Sequence, residues 1–502
     1  MIFKTELGEL NGIPLGKSDN GKTVYEFHSI PYAKAKRFEK PILIDDYENG
    51  KPINMEDTVC FPQHGYPLWL NRFIKHHMMR PEFLPTKDTQ TEDAFVVNIW
   101  TDDLNGNKPV TVFLHGGGEG SGTVPMYTGG NLAKKDIVSV TVTYRIGCFG
   151  YMPTFDRGQM TANLAYFDQQ AALLWIKKNI QHFGGDPANI TLIGHCGGAL
   201  AALYHFLNPI SQKCFDKLML LCGNLPTLTP RAKAESNYPN MLKHYKCSSL
   251  ENLKSLPSNR FLRRNQIGMG DVLDGDFFVD DPNKLMECRL FPSIPILIGT
   301  NADEFSMIEL PMYYKVLGIA TKEKNVDDAL TKKYGNLASM LKSAFVAEAN
   351  GAVDLQVKIM ELLVFHNSAY RLLETVKEKC PVYGYRLNFV PDLYNGRRGS
   401  YHGAELSYFF DNFDKMNIPY TKKNKMETAI IQKDWLQFVR NGIIEGRERY
   451  DETERITNYD TDIEAIRFPK VELLKKLSDS DIFENVRRSY ISGMNEEPTG
   501  KV

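Results

Sequence analysis

Short apolar runs alternate with longer stretches of helical periodicity along most of the chain, and this alternation sets the expected architecture. Residues 94–100, 109–114, 137–144, 189–193, 217–221, 294–299 and 381–387 are short, largely apolar runs, with 189–193 β-branched and bounded by Pro187 and Gly194, which predicts strands. The run 109–114 is nearly all apolar, as a strand covered on both faces must be. Between the runs, residues 163–183 have helical spacing, with Ala171, Leu174, Trp175 and Lys178 at steps of three and four and Ile180 closing the run. Residues 199–206 are strong helix formers. Residues 305–380 read as amphipathic helices, and 425–442 as a helix closing on the C-cap pair Asn441-Gly442. The first 60 residues differ: strand-like runs at 4–10, 23–28 and 29–33 separated by turns predict an antiparallel edge meander. Strands alternating with helices define an α/β class, with a central, mostly parallel twisted sheet and helices on both faces. No repeat or low-complexity linker divides the chain, so residues 1–502 are expected to form one domain.

Composition removes several function classes. Of 502 residues 42% are hydrophobic and 24% charged, with a net charge of −1, so no electrostatic footprint for nucleic acid or an anionic membrane is present. No apolar run reaches the roughly 18 residues of a spanning helix. The N-terminal Met-Ile-Phe-Lys-Thr-Glu-Leu-Gly has no signal core. The eight cysteines show no paired zinc spacing and are too sparse for a disulfide scaffold. A cytoplasmic protein with reduced thiols is expected.

The chemistry centres on Gly194-His195-Cys196-Gly197-Gly198, set between the strand at 189–193 and the helix opening at residue 199. Strand, glycine-bracketed turn and helix form the frame of a nucleophile elbow, G-x-S-x-G. Glycines let the chain turn sharply and thrust the central side chain out at the helix N-terminus. Here that side chain is a thiol, and the positive end of the helix favours thiolate.

A thiol nucleophile needs a base, and the base needs a carboxylate to orient it. His402 lies in the glycine-bearing stretch Ser400-Tyr-His-Gly-Ala-Glu405, before the aromatic run at 408–410. Asp303 and Glu304 follow the strand at 294–299, where open α/β sheets place functional groups. The order Cys196, Glu304, His402 is the nucleophile–acid–base order of α/β-hydrolases. His115-Gly-Gly-Gly118 after the strand at 109–114 offers consecutive backbone N–H groups for an oxyanion, and Gly197 offers another.

At these residues the chain resembles the type B carboxylesterase/cholinesterase family, from Gly8 to about Arg440. The resemblance is carried by residues 29–33, Thr91-Glu-Asp93 with Asn98-Ile-Trp100, the glycine triplet, and Tyr144-Arg-Ile-Gly147. Asn163, Asp168-Gln169, residues 179–187, Leu273-Asp-Gly-Asp276, residues 299–304 and His402-Gly-Ala-Glu405 complete it. It implies the α/β-hydrolase fold, triad roles for Cys196, Glu304 and His402, and oxyanion donors at Gly117, Gly118 and Gly197. No metal or organic cofactor is implied. The expected partner is a small-molecule ester, with no nucleic acid or membrane, in a monomer or homodimer.

Departures from the family pattern are specific. The usual elbow is Gly-Glu-Ser-Ala-Gly, and here Glu is His195, Ser is Cys196 and Ala is Gly197. The large hydrophobic residue usual after the glycine triplet is Glu119. Glu119 and His195 are therefore candidates for lining the substrate pocket, while packing beneath the elbow is the competing expectation for His195. Trp69, Phe73 and Met78-Met79 are candidates for a gorge mouth, with core packing the plainer expectation. Secreted members pair a cysteine near Cys60 with one where this chain has Ala94, and Cys247 lacks a second partner near Asn252. A carboxylic-ester, thioester or lactone hydrolase working through an acyl-enzyme is expected. An acyltransferase and a catalytically impaired binding protein are the alternatives.

Overall fold

Apolar side chains alternate across the strands and so define two cores, one on each face of a central sheet. The computed structural model describes residues 1–44, 47, 53–55, 57–63, 89–118, 120–122, 127–262, 269–306, 314, 317–416, 418–478 and 482. Among these residues the central sheet has eleven strands. In chain order they are β1 (Ile13–Lys17), β2 (Thr23–Pro31), β3 (Val96–Thr101), β4 (Lys108–Leu114), β5 (Val138–Val142) and β6 (Gly185–His195). They continue with β7 (Lys217–Leu221), β8 (Ile296–Asn301), β9 (Val382–Leu387), β10 (Arg455–Tyr459) and β11 (Glu464–Arg467). Their order across the sheet is β11-β10-β9-β8-β7-β6-β4-β5-β3-β2-β1. The seven strands from β10 to β5 in that order are parallel neighbours, and the pairings outside them are antiparallel.

Val110, Val112, Ile190, Leu192, Leu218, Leu220, Ile296 and Ile298 face one core. It is covered by α1 (Leu164–Asn179), α2 (Gly197–Leu207), α3 (Ala352–Glu361) and α4 (Asn367–Val376). Phe113, Ile193, Met219, Leu221, Leu297 and Tyr385 face the other, covered by α5 (Ala404–Phe410) and α6 (Lys422–Asn441). Each fully buried Leu, Ile or Phe is worth about 1.5–3 kcal/mol relative to exposure, so register is fixed strongly wherever both faces are covered.

The expected mixed sheet, edge meander and helices all form, with local differences. The run at 4–10 is broken by a turn at Glu6-Leu7 into a hairpin, Ile2–Thr5 against Gly8–Asn11. The runs at 23–28 and 29–33 join largely into β2, with a register shift around Ser29, whose φ is 49°. Strands β10 and β11 had no counterpart in the periodicity analysis. The helical region contains a π-helical turn, Leu362–His366, between α3 and α4. Helix α6 stops where Gly442, at φ 69°, takes the left-handed conformation expected of a C-cap glycine.

Candidate active site

Carboxyl ends of β6, β7 and β8 converge with the loop before α5, and their side chains meet there. The elbow is geometrically obligatory: a Cβ on Gly194 would stand 2.1 Å from Gly198 O, and one on Gly198 2.1 Å from Leu114 O. Between them Cys196 adopts φ 55° and ψ −120° at the N-cap of α2, a conformation disfavoured for any side chain and held only by its surroundings. Its N–H donates to Leu221 O (3.0 Å), and its carbonyl accepts from Ala199 N (3.0 Å) and Leu200 N (3.2 Å). The thiol is partly exposed.

His402 and Glu304 are both buried and lie 2.5 Å apart, Nδ1 to Oε2. The other oxygen of Glu304 accepts from the backbone N–H of Asn301 (2.7 Å). With Nδ1 engaged, Nε2 is the ring nitrogen available to the thiol. Burial disfavours the charged imidazole, but the Cys196 sulfur and the Glu304 carboxylate outweigh it and hold its pKa well above the ordinary value. Phe365, from the π-helical turn, packs on the ring at 4.8 Å between centroids.

Backbone pairing fixes the acid loop against the base loop. Asp303 N donates to Ser400 O (3.0 Å) and Ser400 N donates to Asp303 Oδ2 (2.9 Å). Ser306 Oγ donates to Arg398 O (2.6 Å), and Phe305 N donates to Glu361 Oε1 (2.8 Å). Gly399 sits at φ 59°, where a Cβ would meet Asp303 Oδ2 at 2.2 Å.

The glycine triplet packs on the elbow. Gly117 and Gly118 have φ of 111° and 63°, and a Cβ on Gly197 would stand 2.9 Å from Gly118 O. His115 stacks on Tyr144 at 4.3 Å, and Tyr144 OH donates to His115 O (2.8 Å). Burial lowers the His115 pKa to about 4, so this imidazole is neutral and structural.

The structure thus brings Cys196, Glu304 and His402 together, with Gly117, Gly118 and Gly197 alongside. His195 has no accessible surface and faces Glu405 beneath the elbow rather than lining an open pocket. Glu119, Trp69, Phe73, Met78 and Met79 lie outside the described residues.

Sequence reasoning passed over a network behind the triad. Cys222 donates to Glu405 Oε1 (3.1 Å), and Asn301 Nδ2 donates to Glu405 Oε2 and to Tyr401 O (2.7 Å). Burial, then the carboxylates of Glu304 and Glu405, hold the Cys222 thiol protonated. The histidine nitrogens of His195 and His402 and the Cys222 sulfur lie within 4.8 Å of one another. Two of the three already hold a carboxylate partner, His402 through Glu304 and Cys222 through Glu405. The available signal is Glu405 itself, a carboxylate in the first turn of α5 three residues after His402.

A strand-turn-helix elbow after β6, a carboxylate after β8 and a histidine before α5 on this sheet define an α/β-hydrolase fold. The Carboxylesterase family model matches residues 1–481, and the chain belongs to that family. It is 25% identical over 478 residues to the acylcarnitine hydrolase of Mus musculus, covering 88% of this chain and 83% of that protein. It is 26% identical over 510 residues to the para-nitrobenzyl esterase of Bacillus subtilis, covering 95% and 98%. A solved PNB esterase structure superposes with a TM-score of 0.78 at 25% identity, covering 96% of this chain and all of that one. These relatives support ester hydrolysis.

Proposed function

We propose that the protein hydrolyses small carboxylic esters through Cys196, with His402 as base and acid and Glu304 orienting it. The observation that carries the reading is the 2.5 Å contact between His402 and Glu304 beside an elbow whose central residue is held at φ 55°. His402 takes the Cys196 proton, and the sulfur attacks the ester carbon as the carbonyl π pair moves onto oxygen. Backbone N–H groups of Gly117, Gly118 and Gly197 receive that oxyanion. Its collapse expels the alkoxide, which takes the proton from His402 and leaves a thioester on Cys196. His402 then removes a proton from water, the hydroxide adds to the thioester, and collapse returns the sulfur to its resting state. Eight cysteines, none of them in a disulfide, support a reducing compartment, and among the described residues no helix is long and apolar enough to cross a membrane.

Intact mass and p-nitrophenol release with p-nitrophenyl butyrate test the reading. A burst with one butyryl group on Cys196, abolished in Cys196→Ala, is the expected result. Absence of both adduct and turnover in the folded protein overturns it. Turnover accelerated by added amines would reassign the second half-reaction to acyl transfer.

A further inference from the structure

The mechanism above makes no use of His195, although its ring touches three parts of the site. A Cβ on Gly116 would stand 3.0 Å from both His195 Nδ1 and Cys196 Cβ, and one on Gly403 would stand 3.6 Å from His195 Cε1. The ring centroid is 4.6 Å from that of His402, and Nε2 is 3.5 Å from Glu405 Oε1. The titratable groups set against it are Glu405 from α5, His402 from the preceding loop and Cys222 after β7, with Glu304 lying against His402, whose imidazolium it stabilises. Cys222 donates to Glu405 and stays protonated, so it supplies no charge. Glu405 and Glu304 are two carboxylates in one dry site. Burial first, then Glu304, pushes the Glu405 pKa up to about 7. A base beside Glu405 that accepts a proton relieves that repulsion and pairs the carboxylate.

We propose that His195 carries this proton as an imidazolium paired with Glu405, and that its charge favours the thiolate of Cys196. His195 is then a positioning residue for charge, matched to a sulfur nucleophile. A hydroxyl is neutral until it attacks, and the positive charge then appears on the neighbouring imidazole, where an added carboxylate helps. A thiol resting as thiolate is stabilised by an adjacent cation and destabilised by an adjacent carboxylate. The side chain before Cys196 decides which case applies. This inference rests on Cys196 being the nucleophile.

Alkylation of Cys196 by iodoacetamide, measured from pH 5 to 10 and located by peptide mass, tests it without any ester. The expected wild-type midpoint lies below the roughly 8.5 of a free thiol. His195→Gln is expected to raise the midpoint by about one pH unit, and His195→Glu by more, with the limiting rate at high pH unchanged. An unshifted midpoint in a His195→Gln protein that melts like wild type overturns the proposal. So does a wild-type midpoint at or above about 8.5, whether or not the variants fold. Acylation of Cys196 without a midpoint shift sinks this inference alone; a shift without acylation sinks the hydrolase reading alone.

Discussion

Asp303 and Ser400 exchange two hydrogen bonds, Asp303 N to Ser400 O (3.0 Å) and Ser400 N to Asp303 Oδ2 (2.9 Å). The residue next to the acid is thereby clasped to the residue two before the base, and the distance between Glu304 and His402 follows from that clasp. Asp303→Ala removes the side-chain half. It is expected to lower kcat about 10-fold with KM little changed, because a small misplacement of the base costs more than substrate binding does. Steady-state kinetics on p-nitrophenyl esters separate the two. An unaltered kcat would show that the backbone half suffices.

Glu304→Gln addresses the charge on His402. The sulfur and the carboxylate raise the His402 pKa above the ordinary value against the effect of burial, so the imidazolium survives into the alkaline range. As pH rises through that raised value the proton needed by the leaving alcohol is lost, and activity falls. Glutamine keeps an acceptor but not the charge. The alkaline limb of the kcat profile is therefore expected to move down by about one unit or more, with kcat reduced about 10²- to 10⁴-fold.

Gly197→Ala tests the packing of the glycine triplet on the elbow. The new Cβ would stand 2.9 Å from Gly118 O, a backbone atom that cannot swing away as a side chain can. The triplet must retreat, and its N–H groups with it. A fall in kcat of about 10- to 100-fold is expected, with a melting temperature close to wild type. Alanine is the family's usual residue here, so an unaffected enzyme would show that the triplet can shift without loss.

Glu361 governs a stability effect rather than a kinetic one. Burial raises its carboxyl to about 8 from an ordinary 4.5. A group whose folded pKa is raised contributes fully below the free value, and its contribution is lost as pH rises towards the folded one. Wild type is therefore expected to lose melting temperature between pH 5 and 8 more steeply than Glu361→Gln, which can still accept from Phe305 N. Parallel declines in calorimetry would contradict this.

Cys196 and Glu304 were legible in the sequence because each follows a strand end that composition marks, and His402 because it lies in a glycine-bearing loop before an aromatic run. A buried run stops, glycines or a short polar stretch follow, and the functional residue comes next. Cys196, Glu304 and His402 could be ordered by those marks. Glu405, Cys222 and Asn301 could not be assembled the same way. Their meeting depends on how α5 lies over the ends of β7 and β8, which periodicity along one segment does not encode. The π-helical turn at 362–366 was invisible for a related reason: its residues are as apolar as those of an ordinary helix. Strands β10 and β11 were missed because only one side of Arg455–Tyr459 is bounded by another parallel strand, and β11 has no fully buried residue to signal it.

The backbone at Cys196 sets fold stability against the presence of a side chain at the elbow. A side chain held at φ 55° costs about 1–3 kcal/mol, and glycine at that position costs almost nothing. Cys196→Gly thus relaxes a strained point of the elbow while removing its side chain. A copy of the chain that lost its chemistry this way would persist in the cell at least as well as the active one. Folding quality control would not remove it, so selection on the reaction itself must keep a side chain at residue 196.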